Sequence, residues 1–235
     1  MEPVIAIAAC IAFAFVFRNA LKAAPALFYV LAIVADLMFL GHALSGFAPV
    51  AARALQPYLQ RCLVAFGLFA VVMFVGVLPE GSRARRWLAP VRGELSIIAA
   101  ILAAGHVANY LGAYLAQFAQ GFAASKAASF AVAAVVVALL AVLAATSLRA
   151  VRRRMDAAAW KRVQLLAYPF FILVYVHLLL ILGPSASGSE QKAFESVVVY
   201  TVVMLAYAVL RGGKAALDRK ARLGAEAGEA REATT

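Results

Sequence analysis

The chain has 235 residues, of which 66% are hydrophobic and 14% charged, with a mean hydropathy of +0.91 and a formal net charge of +11. A soluble domain of this length cannot cover so much apolar surface, so the composition excludes a water-soluble enzyme or binding module and indicates an integral membrane protein. The basic residues stand as punctuation between apolar runs rather than as a patch or stripe, which excludes nucleic acid as the natural partner.

Apolar runs of roughly 18 or more residues separated by Arg-rich loops indicate helices, because barrel strands alternate and are only about ten residues long. The expected fold class is therefore all-α, an integral membrane helical bundle. Spans are predicted at about 3–17, 25–45, 57–78, 94–118, 127–148, 163–183 and 196–210, which makes seven transmembrane helices. The first run, MEPVIAIAACIAFAFVF, has Glu2 and no basic residue before it, so it reads as a retained helix rather than a signal peptide. Cys10 and Cys62 fall inside predicted spans without CxxC or CxxCH, which points to packing and excludes covalent c-type haem attachment.

Between the spans lie two basic loops, GSRARRWLAPVRGEL and RAVRRRMDAAAWKR, each with a Trp near the membrane boundary. Snorkelling and aromatic anchoring account for both. Docking of an acidic partner or of haem propionates is compatible with the same residues. The segment GPSASGSEQKAFES reads as a small polar loop, and the tail from Arg211 onward as a frayed cytoplasmic helix or disorder. No GxGxxG follows a strand and no GxxxxGK[ST] occurs, so no flavin, nicotinamide or ATP site is recognised and a reductant must come from a partner or a membrane-soluble carrier.

Counting Lys and Arg by alternate loops places 18 on one side (twelve from Arg18 to Arg162 and six after residue 210) and four on the other (Arg53, Arg61, Lys126 and Lys192). This bias predicts a multi-pass protein of the cell inner membrane with the amino terminus outside and the carboxy terminus cytoplasmic.

All three histidines fall in predicted spans, where an ionisable side chain needs a partner inside the bundle. Arg92 to His106 is 14 residues and Arg162 to His177 is 15, so both imidazoles stand roughly 21 to 23 Å above the basic end. Two imidazoles at one height suit the two axial positions of a b-type haem. Structural pairing or zinc are the alternatives, and zinc would need a further ligand at that level. His42 lies 20 residues above Lys22, nearer the opposite end, as a contact for a propionate, quinone or partner. Asn109 and Tyr110 share the helical face of His106 as supporting groups, among the small residues Ala99, Ala103 and Ala113. Phe170, Leu173, Val174 and Leu180 give His177 an apolar wall, with Pro169 expected to kink the span. Asp36 reads as a proton-handling group or a buried hydrogen-bonding anchor.

The segments RGELSIIAAILAAGHVANYL and WKRVQLLAYPFFILVYVHLLLILG resemble the third and fifth core helices of ferric reductase-like transmembrane domains. The pattern is closest to stand-alone bacterial members such as the haem-binding membrane subunit of the periplasmic methionine sulfoxide reductase system. The resemblance implies a six-helix haem-binding core over residues 25–210, with residues 1–24 as an additional helix and loop and 211–235 as a charged cytoplasmic tail. Where the family has a first histidine in the fifth helix this chain has Gln164, and the equivalent level near Arg92 and Gly93 has none. The resemblance thus implies one haem b, held by His106 and His177 as iron ligands, in an electron-transfer subunit lacking its own flavin or nicotinamide domain. Electrons would pass from a quinol or donor protein to an acceptor, a redox partner on the outer face, and quinone is a further possible ligand. The rival readings are a cofactor-free scaffold or small-solute or proton transporter, and a quinone-binding anchor centred on His42 and Asp36.

Overall fold

The computed structural model describes residues 1–41, 49–120, 124–188 and 190–232, and all regular structure among them is helical. The helices are α1 (Glu2–Val16), α2 (Arg18–Ala23), α3 (Pro25–Leu40), α4 (Pro49–Gln60), α5 (Leu63–Val77), α6 (Arg83–Leu88), α7 (Arg92–Gln120), α8 (Ala124–Ser147), α9 (Arg149–Arg152), α10 (Ala157–Gln164), α11 (Ala167–Ser187) and α12 (Gln191–Glu232). Five of the seven expected runs fall on α1, α7, α8, α11 and α12, the run 57–78 takes in the end of α4 and all of α5, and the run 25–45 covers α3 and ends outside the described residues. Four are long and apolar enough to cross a membrane, within Arg83–Gln117, Lys126–Ser147, Ala157–Ser187 and Gln191–Lys220. The pair Arg53–Gln60 and Leu63–Val77, bent by 57°, makes a fifth if it is one span, and α1 and α3 are shorter apolar helices.

Local chemistry sets the ends. Asp156 caps α10 by accepting from the Ala158 and Ala159 amides, and Ser82 caps α6 from Arg85. The break between α10 and α11 falls at Leu165 and Leu166, four residues before Pro169. Proline has no N–H for the Leu165 carbonyl, which accepts from Tyr168 instead, so the expected kink lies one turn below the proline. The segment expected as a polar loop is mostly helix: α11 runs through Pro184 to Ser187 and α12 resumes at Gln191. The tail likewise continues α12 to Glu232, a helix of 42 residues and so about 63 Å long.

Lipid tails are as apolar as leucine, so close packing rather than burial from water holds such helices together. On α1 the buried residues Ala6, Cys10 and Ala14 recur every four positions and meet α5, where a Cβ on Gly67 would stand 2.8 Å from the Cys10 sulfur. Small residues on both helices are what permit that approach. Beyond this pair, α5 packs on α7, α7 on α8, α8 on α11, α11 on α12 and α12 on α5, closing a ring, while α3 lies against α7. Phe66 and Phe171, Phe69 and Phe170, and Phe66 and Tyr200 join α5, α11 and α12 at centroid distances of 5.9, 5.0 and 4.8 Å. Around this ring α7 and α11 are not neighbours but share α8.

Contacts sort the helix ends as the charge alternation requires. Arg18 with Trp87, Arg149 with Glu94 and Arg211 with Tyr168 meet at the basic end. The Met1 amino group with Glu195, and Arg61 with Glu2, meet at the opposite end.

Candidate functional site

His106 on α7 and His177 on α11 are both half-buried, and each is held through the same ring atom. His106 Nδ1 lies 2.7 Å from the backbone carbonyl of Gln60. His177 Nδ1 lies 3.3 Å from the carbonyl of Ser129 and 3.5 Å from its hydroxyl. The Gln60 carbonyl can only accept, so His106 Nδ1 carries the hydrogen and Nε2 of the neutral imidazole keeps its lone pair; His177 reaches the same state when its Nδ1 donates to the Ser129 carbonyl rather than accepting from the hydroxyl. Metal-ligating histidines are held in this way, with one nitrogen donating to an acceptor and the other directed to the metal.

The two acceptors arise differently. Ser129, 3% exposed, offers a second lone pair of a carbonyl inside α8. The Gln60 carbonyl belongs to the last residue of α4, where the chain turns away through Cys62 in the left-handed region, φ 58° and ψ 23°. Helix ends leave carbonyls without intrahelical donors, and the Gln60 carbonyl is satisfied by His106. The two imidazoles come from helices that do not pack closely on each other, yet they stand within electrostatic reach across the ring.

Of the other expected groups, Tyr110 packs on the His106 ring at 5.0 Å between centroids. Its own ring neighbours Tyr114 at 6.5 Å, which stacks with Phe130 of α8 at 5.9 Å. Asn109 is half-buried and its side chain makes no hydrogen bond among the described residues. His42 lies outside the described residues. Asp36, 8% exposed, sets its carboxylate against the backbone of Gly105, the residue before His106. Gln164 donates to the Thr146 hydroxyl at 3.1 Å, turning its side chain toward α8.

Among the described residues no three His, Cys, Asp or Glu side chains converge as a metal cage. Neutral imidazoles with a free Nε2 are the kind of donor that holds a haem iron, so His106 and His177 are the residues that would hold that group. Sequence reasoning singled out both histidines but not the Gln60 and Ser129 carbonyls beside them, nor the approach of Asp36 to Gly105. Backbone carbonyls carry no residue-type signal, and only Pro57 near the end of α4 hinted at a helix end there.

Residues 61–175 match the family described as ferric reductase like transmembrane component. A protein of Treponema pallidum (strain Nichols), described as "Uncharacterized protein", is 43% identical over 171 residues, which are 72% of this chain and 47% of that protein. The chain spans about half the length of this relative. No solved structure matches it.

Proposed function

We propose, from the match of residues 61–175 to the ferric reductase-like transmembrane family, that the chain is a membrane electron-transfer protein that binds one b-type haem between His106 and His177. The observation that carries the reading is the pair of Nδ1 to carbonyl contacts, one on α7 and one on α11, which would leave each Nε2 free to hold the iron. Haem iron supplies one-electron exchange when bound. The chain's own residues do the rest. The Gln60 and Ser129 carbonyls fix the tautomer and rotation of the imidazoles and raise their basicity. Tyr110 restricts the His106 ring, and the apolar helices keep water from the site. His42 and Asn109 are the remaining groups for a propionate or quinone.

In this reading all seven apolar helices cross the inner membrane, with residues 25–210 as the core, 1–24 as an added helix and 211–235 as a cytoplasmic arm. The 18 to 4 division of basic residues supports the amino terminus outside and the basic end inside. Donors are a quinol or a reductase partner, and the acceptor is a protein or small oxidant at the outer face. Gln164, engaged with Thr146, supports a single haem.

The test is the absorption spectrum of the purified protein, oxidised and then reduced with dithionite. A Soret band with sharp reduced α and β bands is expected, and either His106→Ala or His177→Ala should abolish six-coordination. Absence of the bands in the wild-type protein sinks the haem reading, and unchanged bands in both variants sink the ligand assignment.

A further inference from the structure

The junction between α4 and α5 lies beside the candidate ligand His106. α4 ends with Arg61 N–H bonded to Pro57 and Cys62 N–H to Leu59, and α5 starts with Phe66 N–H on Cys62. The link between them is Cys62, the one non-glycine residue with positive φ among the described residues. A side chain in this region costs free energy that glycine avoids, and helix ends of this kind normally place glycine there. The 57° bend that results turns α4 off the axis of α5 and leaves the Gln60 carbonyl for His106 at 2.7 Å. Strain of this sort persists where the surroundings over-determine it, and it gathers at functional sites.

We propose that the left-handed Cys62 is a positioning residue: it aims the Gln60 carbonyl at His106 Nδ1, and through that bond the α4–α5 junction sets the strength of the His106 ligand and the reduction potential of the bound haem. The thiol is not needed for this; the backbone angle is. An Nδ1–H donating to a carbonyl makes Nε2 a better donor to ferric iron, so loss of the bond weakens the ferric state more than the ferrous one. The proposal rests on the haem reading, and the test separates the two.

The variants are Cys62→Gly, which adopts the left-handed angle freely, Cys62→Asn, which tolerates it, and Cys62→Val, whose branched Cβ resists it. In Cys62→Gly and Cys62→Asn the potential should stay at the wild-type value. In Cys62→Val it should move positive by on the order of 60 mV, the equivalent of a tenfold change in ferric over ferrous preference for a one-electron couple. Haem affinity should fall about 10- to 100-fold in the same variant. The second readout needs no haem: nitrogen NMR of ¹⁵N-histidine-labelled apoprotein should show His106 with its hydrogen on Nδ1 in the wild type and Cys62→Gly, and a mixture or the Nε2 tautomer in Cys62→Val. Should Cys62→Val fail to fold, Cys62→Gly decides alone, with the apoprotein Tm rising by about 2–4 °C. A fall in Tm for Cys62→Gly, or a Cys62→Val protein with the wild-type tautomer and potential, overturns the proposal. Loss of haem from every variant and the wild type, with the tautomers as expected, overturns the haem reading and leaves the junction's role intact.

Discussion

Asp36 and Gly105 show how a polar residue inside the bundle is accommodated. A methyl group added to Gly105 would land on the Asp36 carboxylate, so glycine is what lets α3 approach α7 at this level. Gly105→Ala should therefore cost about 1–3 kcal/mol, the usual penalty for overpacking, and lower the thermal midpoint in detergent. The partner change tells whether the collision is the cause. Asp36→Ala with Gly105→Ala should recover most of the loss, because residues in contact do not contribute additively. A double variant no more stable than Gly105→Ala alone would assign the cost elsewhere. Since His106 is the next residue on the helix, the Soret band of Gly105→Ala should also broaden if haem is bound as proposed. The sequence marked Asp36 as a polar residue inside a span but had no means of showing that it faces the neighbouring helix one residue from His106. Such a contact depends on the rotation of two helices about their axes, which hydropathy does not specify when both helices are apolar all round.

Two tryptophans close the basic end in the same manner. Trp160 donates its indole N–H to the Thr146 carbonyl in the last turn of α8 at 3.1 Å, and Arg152 lies over its ring at 4.4 Å. Trp87 donates to the Phe15 carbonyl in the last turn of α1 at 3.4 Å, and Arg18 lies over its ring at 4.3 Å. Each ring thus satisfies a carbonyl that a helix end leaves without a donor, and each arginine gains a cation–π contact while reaching toward water. Trp160→Phe keeps the apolar ring but removes the bond, so it should lose about 1 kcal/mol of stability in a thermal melt. Trp87→Phe should lose less, because its bond is longer, and neither should move an absorption band. If Trp160→Phe melts with the wild type, anchoring alone explains the residue. Anchoring was legible from the sequence because a Trp beside arginines at the end of an apolar run has few other uses. The carbonyl partners were not, since they lie 14 and 72 residues away in the chain. The helical path of residues 183–187 was hidden for the opposite reason: Gly183, Pro184 and the serines after it all favour turns, yet α11 passes through them.

At the scale of the whole molecule, positions along the spans were readable because residue count fixes height in a helix, whereas lateral arrangement was not. The common level expected for His106 and His177 rests only on the residue count of each from a basic anchor. The ring in which α8 stands between their helices, and the two carbonyls that fix their tautomers, come from packing that no local pattern encodes. If haem is bound as proposed, height also decides how electrons would enter. His106 stands about 21 Å of helix above the basic end, and at the lower level Gln164 is spent on Thr146 while Gly93 offers no ligand. On the proposed reading, a donor confined to the water at the basic end would have to exchange electrons with the haem across that gap without a relay, while His106 lies against Gln60, next to the Arg61 that pairs with Glu2 at the opposite end. In proteoliposomes of defined orientation, a membrane-impermeant reductant should therefore reduce the haem at least tenfold faster from the face carrying Arg61 and Glu195 than from the face carrying the Arg-rich loops. A lipid-soluble quinol should reduce it from either side. Equal rates from the two aqueous faces would place a relay at the lower level after all, and would remove the reason for reading this chain as a single-centre carrier.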